Sequence, residues 1–366
     1  MTIFLSHTTA LEALRMLGAV PADGARGGHT RAEIGGTPDG AAVLRAWLKA
    51  FGTAPELPLH VQVPRGSRRV RSRELVTHPM GEAPAMPTLR VSEEILCPTP
   101  AALCVQMAPR LTRLELLVLM QELMGTYAVR PDIARGMAMR KEPLLDPGEL
   151  RDLLANDPSA RGARKARWGL ERAIPGAASP RESKLAIRLS LPPALGGYGL
   201  AVMGLNLEVR VTGVASKRGR ARRPDVLLAN PELGEGGPLV ALEYNGSDHL
   251  EDDRRAQDLR RSNELVSAGL SEYVLDKDLY GNLAYMDGLV ELVRRDLGLP
   301  RQRLSAAQRE LRRSRRAELL GELEAIDGVA WGGLARERSR REECPSRVGE
   351  GSTPDDDVVP LEAYGV

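Results

Sequence analysis

The sequence predicts an α/β protein, with a C-terminal mixed sheet flanked by helices and a mixed α+β N-terminal domain before it. Three observations carry that expectation. From Ser179 to Leu297 the pattern runs helix, three strands, helix, strand, helix, an antiparallel meander followed by a crossover. Before it, residues 1–126 mix helical periodicity with short alternating strands. Of 366 residues 42% are hydrophobic, enough for packed interiors, yet aromatics are only 3%, so Leu, Val and Ala must fill them. The expected layout is a mixed domain over 1–126, a helical connector over 127–178, a sheet domain over 179–298, a basic helix over 299–331 and a disordered tail over 332–366.

In chain order, Thr8–Leu17 and Ala41–Phe51 are predicted helices, the second placing Leu44, Trp47, Leu48 and Phe51 at helical spacing. Leu57–Pro64 alternates as a strand and runs into the basic stretch Arg65–Arg73, and Leu89–Ser92 is a further short strand. Pro98–Ala108 and Leu111–Met124 are predicted helices, and residues 130–175 are polar, Arg-rich helical connectors broken by Pro and Gly. Ser179-Pro-Arg-Glu opens a helix, with Ser179 as cap, Pro180 in its first position and Glu182 in its first turn, and Pro192-Pro193 ends it. Leu205–Thr212 is an expected strand, Ser216–Arg223 a basic turn, and Asp225–Ala229 and Leu239–Tyr244 two more strands. Asp252–Ala268 is an expected helix, Glu272–Leu275 a fourth strand and Asp278–Leu297 a closing helix. Arg301–Arg316 carries seven Arg against one Glu, with a helical pattern running to about Leu323.

Composition narrows the class. No run reaches the roughly 18 apolar residues of a membrane span, and Met-Thr-Ile-Phe-Leu-Ser lacks the basic start of a signal peptide, so the expectation is a cytoplasmic protein without membrane contact. The three cysteines, Cys97, Cys104 and Cys344, are not spaced as zinc ligands, and the first two sit in apolar surroundings that predict buried thiols. A net charge of +2 hides local segregation of Arg.

The chemistry concentrates between Arg223 and His249. Asp225 opens one short strand and Glu243 lies near the end of the next. Neighbouring strands lie roughly 4.8 Å apart, so two carboxylates on one face can share a divalent cation. Such an ion activates a water, neutralises phosphate charge and stabilises the leaving oxygen, which points to a metal-dependent phosphodiesterase using Mg²⁺ or Mn²⁺. Asp225 and Glu243 would be direct ligands and the Tyr244 carbonyl a third, while Asn245 returns to the face of Glu243 but brings no charge. Just upstream, Lys217, Arg218, Arg220, Arg222 and Arg223 pack five cations into seven residues, suited to salt-sensitive contact with duplex phosphates. Arg65–Arg73, Arg161–Arg167 and Arg301–Arg316 are further basic stretches, and the scarcity of aromatics beside them favours double-stranded over single-stranded nucleic acid.

Residues 179–298 resemble the PD-(D/E)XK nuclease superfamily, in its branch related to very-short-patch-repair endonucleases. Pro224-Asp225 matches the PD element and Glu243-Tyr244-Asn245 stands at the (D/E)XK element, followed by Gly246, His249, Asp258 and Arg261 at positions the branch often uses. The resemblance implies a restriction-endonuclease-like sheet and a DNA endonuclease or nickase. Glu182 stands where many members carry an acid that binds metal through water, and His249 where a residue steadies the water or touches phosphate. The family's Lys is replaced by Asn245, and Lys184 or Arg261 would have to supply the charge. That replacement keeps open the alternative of a non-catalytic DNA-binding regulator on a decayed nuclease fold. Residues 57–126, with Leu59-His-Val-Gln-Val-Pro-Arg, His78-Pro and the segment from Cys97 to Cys104, loosely resemble AbiEi-type antitoxin proteins. That likeness implies DNA or protein binding by the N-terminal half and a setting in phage defence or a toxin–antitoxin pair. A homodimer would suit double-strand cleavage, though no sequence signal specifies one.

Overall fold

The computed structural model describes residues 2–17, 27–28, 36–80, 86–211, 220–234, 236–245 and 270–333. The first sheet forms around β1 (Ile3–Leu5), too short to stand alone but buried throughout. It pairs antiparallel with β3 (Leu59–Val63) and parallel with β6 (Ile95–Pro98). With β2 (Gly27–Gly28), β4 (Leu75–Pro79) and β5 (Pro87–Arg90), the order is β2-β5-β6-β1-β3-β4. One face of this sheet presents Ile3, Leu5, Leu59, Val61 and Val63 to the main core, which α1 (His7–Met16), α2 (Gly40–Phe51), α3 (Pro100–Met107) and α4 (Arg113–Leu123) complete. Period-two alternation turns Phe4, His60 and Gln62 to the opposite face, where Phe4 packs with Met80 and Leu96.

Local rules set the helix ends. The helix expected from Pro98 starts at Pro100, because Thr99 accepts the Ala102 amide as its cap and Ile95–Pro98 pairs as a strand instead. Thr112 and Glu115 form a capping box at the head of α4. The segment after α4 does not begin with a helix. Tyr127–Val129 (β7) and Met137–Met139 (β8) form a hairpin, as the β-prone Tyr and Val favour, and α5 (Pro147–Asn156) and α6 (Ala163–Leu170) follow. Cys97 and Cys104 are buried, and burial pushes both thiols up to about 12.

The second sheet has the order β14-β13-β12-β9, made of Leu270–Leu275, Leu239–Tyr244, Val226–Ala229 and Val202–Leu205. The pairs β9–β12 and β12–β13 are antiparallel and β13–β14 is parallel, so the meander-then-crossover expectation holds. Its inner face, with Val226, Leu228, Val240 and Leu242, packs on α7 (Pro180–Ser190) and on α9 (Leu283–Asp296). The expected strand Leu205–Thr212 is broken: Asn206 takes a left-handed φ of 52°, which Asn tolerates better than most residues, and β10 (Val209–Val211) leaves the sheet. β10 instead pairs with Arg220–Arg222 (β11), so part of the expected basic turn is a strand whose backbone is satisfied by that pairing. The closing helix is also split. Asn282 ends the short α8 (Lys277–Gly281) and caps α9 by accepting the Tyr285 amide.

Residues Met1–Trp331 form one unit, and a second comprises Gly332–Val366. Within the first, Leu117 and Val118 of α4 meet Ile187 and Leu191 and then Leu319 and Leu323 of α10 (Ala306–Ala325). The basic C-terminal helix is thus docked by a Leu stripe rather than solvated all round. The fold is mixed α/β with mixed sheets, and no helix among the described residues is long and apolar enough to cross a membrane. The expected helix Asp252–Ala268 and the expected disorder of the tail from residue 334 lie outside the described residues.

Candidate functional site

Asp225 immediately precedes β12, and the β12–β13 register pairs Val226 with Leu242, which brings Glu243 opposite Asp225. Side chains alternate, so both acids share the face of Leu227 and Ala241 and leave the inner face to Val226 and Leu242. Both are half-buried. Asp225 Oδ2 accepts the Tyr244 amide at 2.7 Å, a bond that fixes the carboxylate across the strand pair. The Tyr244 ring goes to the other face, edge-on to Tyr280 at 6.0 Å, with the Arg181 guanidinium 5.8 Å from its centroid. Asn245 is exposed, and its amide donates to the Leu275 carbonyl, extending the parallel pairing with β14.

Glu182 sits at the head of α7, where Ser179 caps the helix as expected. Its carboxylate is occupied: Oε1 accepts from Ser179 Oγ at 2.8 Å, and Oε2 from the Ala178 amide and from Asn206 Nδ2, both at 2.7 Å. Asn206 in turn donates its backbone N–H to the Pro224 carbonyl. Glu182 therefore reaches the Asp225 segment through Asn206. No residue pattern pointed to Asn206, whose part depends on a left-handed turn between two strands. Lys184, expected to stand in for the missing motif Lys, is buried, with the charges of Glu324 and Asp327 favouring its ammonium and that of Arg181 opposing it. Burial depresses its ammonium below the usual lysine range, partly offset by Glu324.

The basic run is only partly visible. Arg222 lies in β11, half-buried, and Arg223 is exposed and pairs with Glu208 at 3.1 Å. Lys217, Arg218, the side chain of Arg220, Gly246, His249, Asp258 and Arg261 lie outside the described residues.

The structure also assembles a group that residue spacing did not suggest. The ligand atoms of His7, His60 and His78 all lie within 4.8 Å of one another, a set that could hold a metal ion. His60 Nδ1 is 2.8 Å from His78 Nε2, the two rings stack 5.0 Å apart, and the His7 ring lies 3.9 Å from that of His78. Arg110 approaches His78 Nδ1 at 3.2 Å. Burial, aided by the Arg110 charge, holds all three imidazoles neutral, with pKa lowered to about 2 for His7, about 4 for His60 and about 3 for His78. The only trace of this in the sequence was that His60 and His78 both fell in the antitoxin-like segment. Their meeting with His7 depends on strand pairing. No protein-family model, curated protein or solved structure matches the chain.

Proposed function

We propose that the chain is a Mg²⁺- or Mn²⁺-dependent DNA endonuclease or nickase built on a restriction-endonuclease-like sheet. The observation that carries this reading is the placement of Asp225 and Glu243 on one face of neighbouring antiparallel strands, with Asp225 pinned by the Tyr244 amide. The donor set suits a hard divalent ion, which takes one or two carboxylates and completes its shell with backbone oxygen and water. Asp225, Glu243 and the Tyr244 carbonyl would hold it, and the ion would supply water activation and charge neutralisation at the phosphate. Asn245, on the side of Glu243 by strand alternation, would orient the water or touch the phosphate by hydrogen bonding alone. Duplex DNA would be drawn by the basic residues that precede Asp225, of which Arg222 ends β11 and Arg223 follows it. The test is supercoiled plasmid incubated with the purified protein in Mg²⁺ or Mn²⁺. Wild type should nick it, while Asp225→Ala and Glu243→Ala abolish nicking with unchanged circular dichroism. Nicking that survives both substitutions removes the acid pair from the reaction.

The second reading is a non-catalytic DNA-binding regulator, antitoxin-like in role. It is favoured by the Glu182 carboxylate, which already accepts three hydrogen bonds from Ser179, Ala178 and Asn206, and by the replacement of the motif Lys with uncharged Asn245. A plasmid that stays intact yet shifts on a gel in a salt-dependent, metal-independent way selects this reading.

A further inference from the structure

We infer that His7, His60 and His78 form a binding site for one zinc-class transition-metal ion, whose open position takes a phosphate-like oxyanion held by Arg110. The site is separate from the acid pair and does not rest on the nuclease reading. Imidazole nitrogens select borderline metals such as Zn²⁺ over Mg²⁺, and three histidines with a fourth position open is the pattern of sites that bind an exchangeable ligand.

The framework is rigid where it needs to be. β3 and β4 pair parallel with Gln62 opposite His78, so His60 and His78 lie two residues apart in register and on the same face. His7 begins α1, and its neighbours clamp that helix end to β3: the Ser6 amide donates to the His60 carbonyl at 2.9 Å, and the His60 amide to Thr9 Oγ1 at 2.8 Å. His7 itself holds a left-handed φ of 49°, a strained setting for a non-glycine residue, with its amide donated to Gln106 Oε1 at 2.8 Å. Ser6 Oγ lies 3.2 Å from His7 Nδ1, the kind of second contact that fixes a ligating ring and leaves Nε2 for the metal.

Proton accounting is consistent with metal entry. Arg110 can only donate, so in the neutral ring His78 Nδ1 accepts and Nε2 carries the proton it points at His60 Nδ1. A zinc ion bonds imidazole nitrogen at about 2.0–2.1 Å, so tetrahedral ligand nitrogens sit about 3.3 Å apart. The His60 Nδ1–His78 Nε2 separation of 2.8 Å lies just below that value, and all three ligand atoms lie within 4.8 Å of one another, so small ring shifts reach it. On binding, the His78 proton moves from Nε2 to Nδ1, no proton is released, and exposed Arg110 turns from the ring to the ligand. Three neutral imidazoles leave the ion's charge uncompensated. Burial lowers the Arg110 guanidinium from its usual range, and the nearby charges of Arg71 and Arg161 add to the effect. Such a concentration of cations calls for an oxyanion, which arginine can grip with two bonds. Gln62 Oε1, on the His60 face and in register with His78, is buried with no hydrogen-bond partner among the described residues and would accept from a metal-bound water.

The test uses the full chain, free of any histidine tag and stripped with chelator, titrated with Zn²⁺ and separately with Co²⁺ as a spectroscopic probe. The expected result is one ion per chain and the intense visible absorption of tetrahedral Co²⁺. His60→Ala and His78→Gln should each weaken Zn²⁺ binding by more than the 10–100-fold that loss of an outer partner causes, with unchanged circular dichroism. Adding inorganic phosphate should shift the Co²⁺ spectrum of the wild type but not of Arg110→Ala. Absence of stoichiometric binding, or binding by both histidine variants as tight as by wild type, overturns the metal site. A phosphate response that persists in Arg110→Ala overturns the assigned ligand.

Discussion

Asp225 and Glu243 come from antiparallel strands that follow one another in the chain, whereas His7, His60 and His78 come from a helix end and two parallel strands, with His7 far from the other two in sequence. The acids sit on a sheet whose meander brings sequence neighbours together. The histidines sit on a sheet in which β1 inserts between β3 and β6, a topology that gathers residues from far apart. Stabilisation differs as well. The histidine face depends on where α1 sits, and α1 is anchored by a buried ion pair: Arg15 donates to both oxygens of Glu122, at 2.7 and 2.6 Å, and to the Gly328 carbonyl at 2.7 Å. The acid edge is braced instead by the uncharged Asn206 between Glu182 and the Pro224 carbonyl. The acid edge is therefore supported by hydrogen bonds through Asn206, and the histidine face by a buried ion pair.

That contrast can be broken most forcefully at Glu122. Glu122→Ala leaves the Arg15 charge buried without its partner and should destabilise the protein by about 3–5 kcal/mol, read from urea unfolding. It should also release α1 and so weaken Zn²⁺ retention; retention unchanged in the folded variant would uncouple the anchor from the histidine face. Asn206→Ala comes next. Removing the amide takes one donor from Glu182 and puts Ala into a left-handed turn, which should cost about 1–3 kcal/mol. Asn206→Gly, which keeps the turn, should recover part of that stability but not the plasmid nicking that depends on the Asp225 segment. Equal nicking by both variants and wild type would remove the brace from the acid edge.

The smallest effect sharpens the N-terminal side. Burial, partly opposed by the Glu56 amide, raises the Glu12 carboxyl to about 7. Glu12 lines a cleft with Arg15, Glu56 and Asp132 on the side of α1 that the ion pair anchors. Because the native state holds this proton more tightly than the unfolded chain, its contribution is complete below about 4.5 and is lost as pH rises through about 7. The stability of wild type relative to Glu12→Gln should therefore fall between pH 4.5 and 7.5, with solvent exposure keeping the change small. A flat difference across that range would show that Glu12 titrates normally.

Much of the architecture was legible because it is local. Ser179 and Pro180 set the head of α7, Val240 and Leu242 mark β13 as a strand, and its antiparallel pairing with β12 brings Asp225 beside Glu243. Sequence reasoning failed where a single backbone conformation decided the outcome: Asn206 divides an apparently continuous strand, Asn282 divides a helix, and the basic run partly pairs as β11. Residue type permits those conformations without requiring them, since propensity is weaker than tertiary context.

The sequence by itself determined the α/β class, the order of strands that makes a meander and crossover, and the acids placed to share one face. These follow from side-chain periodicity and caps, which act over a few residues. Only the tertiary structure decided that Glu182 accepts from Ser179, Ala178 and Asn206, that Lys184 is buried, and that three histidines and Arg110 converge. Those outcomes depend on β1 pairing between β3 and β6 and on α7 packing against α4 and α10, contacts that no local pattern encodes.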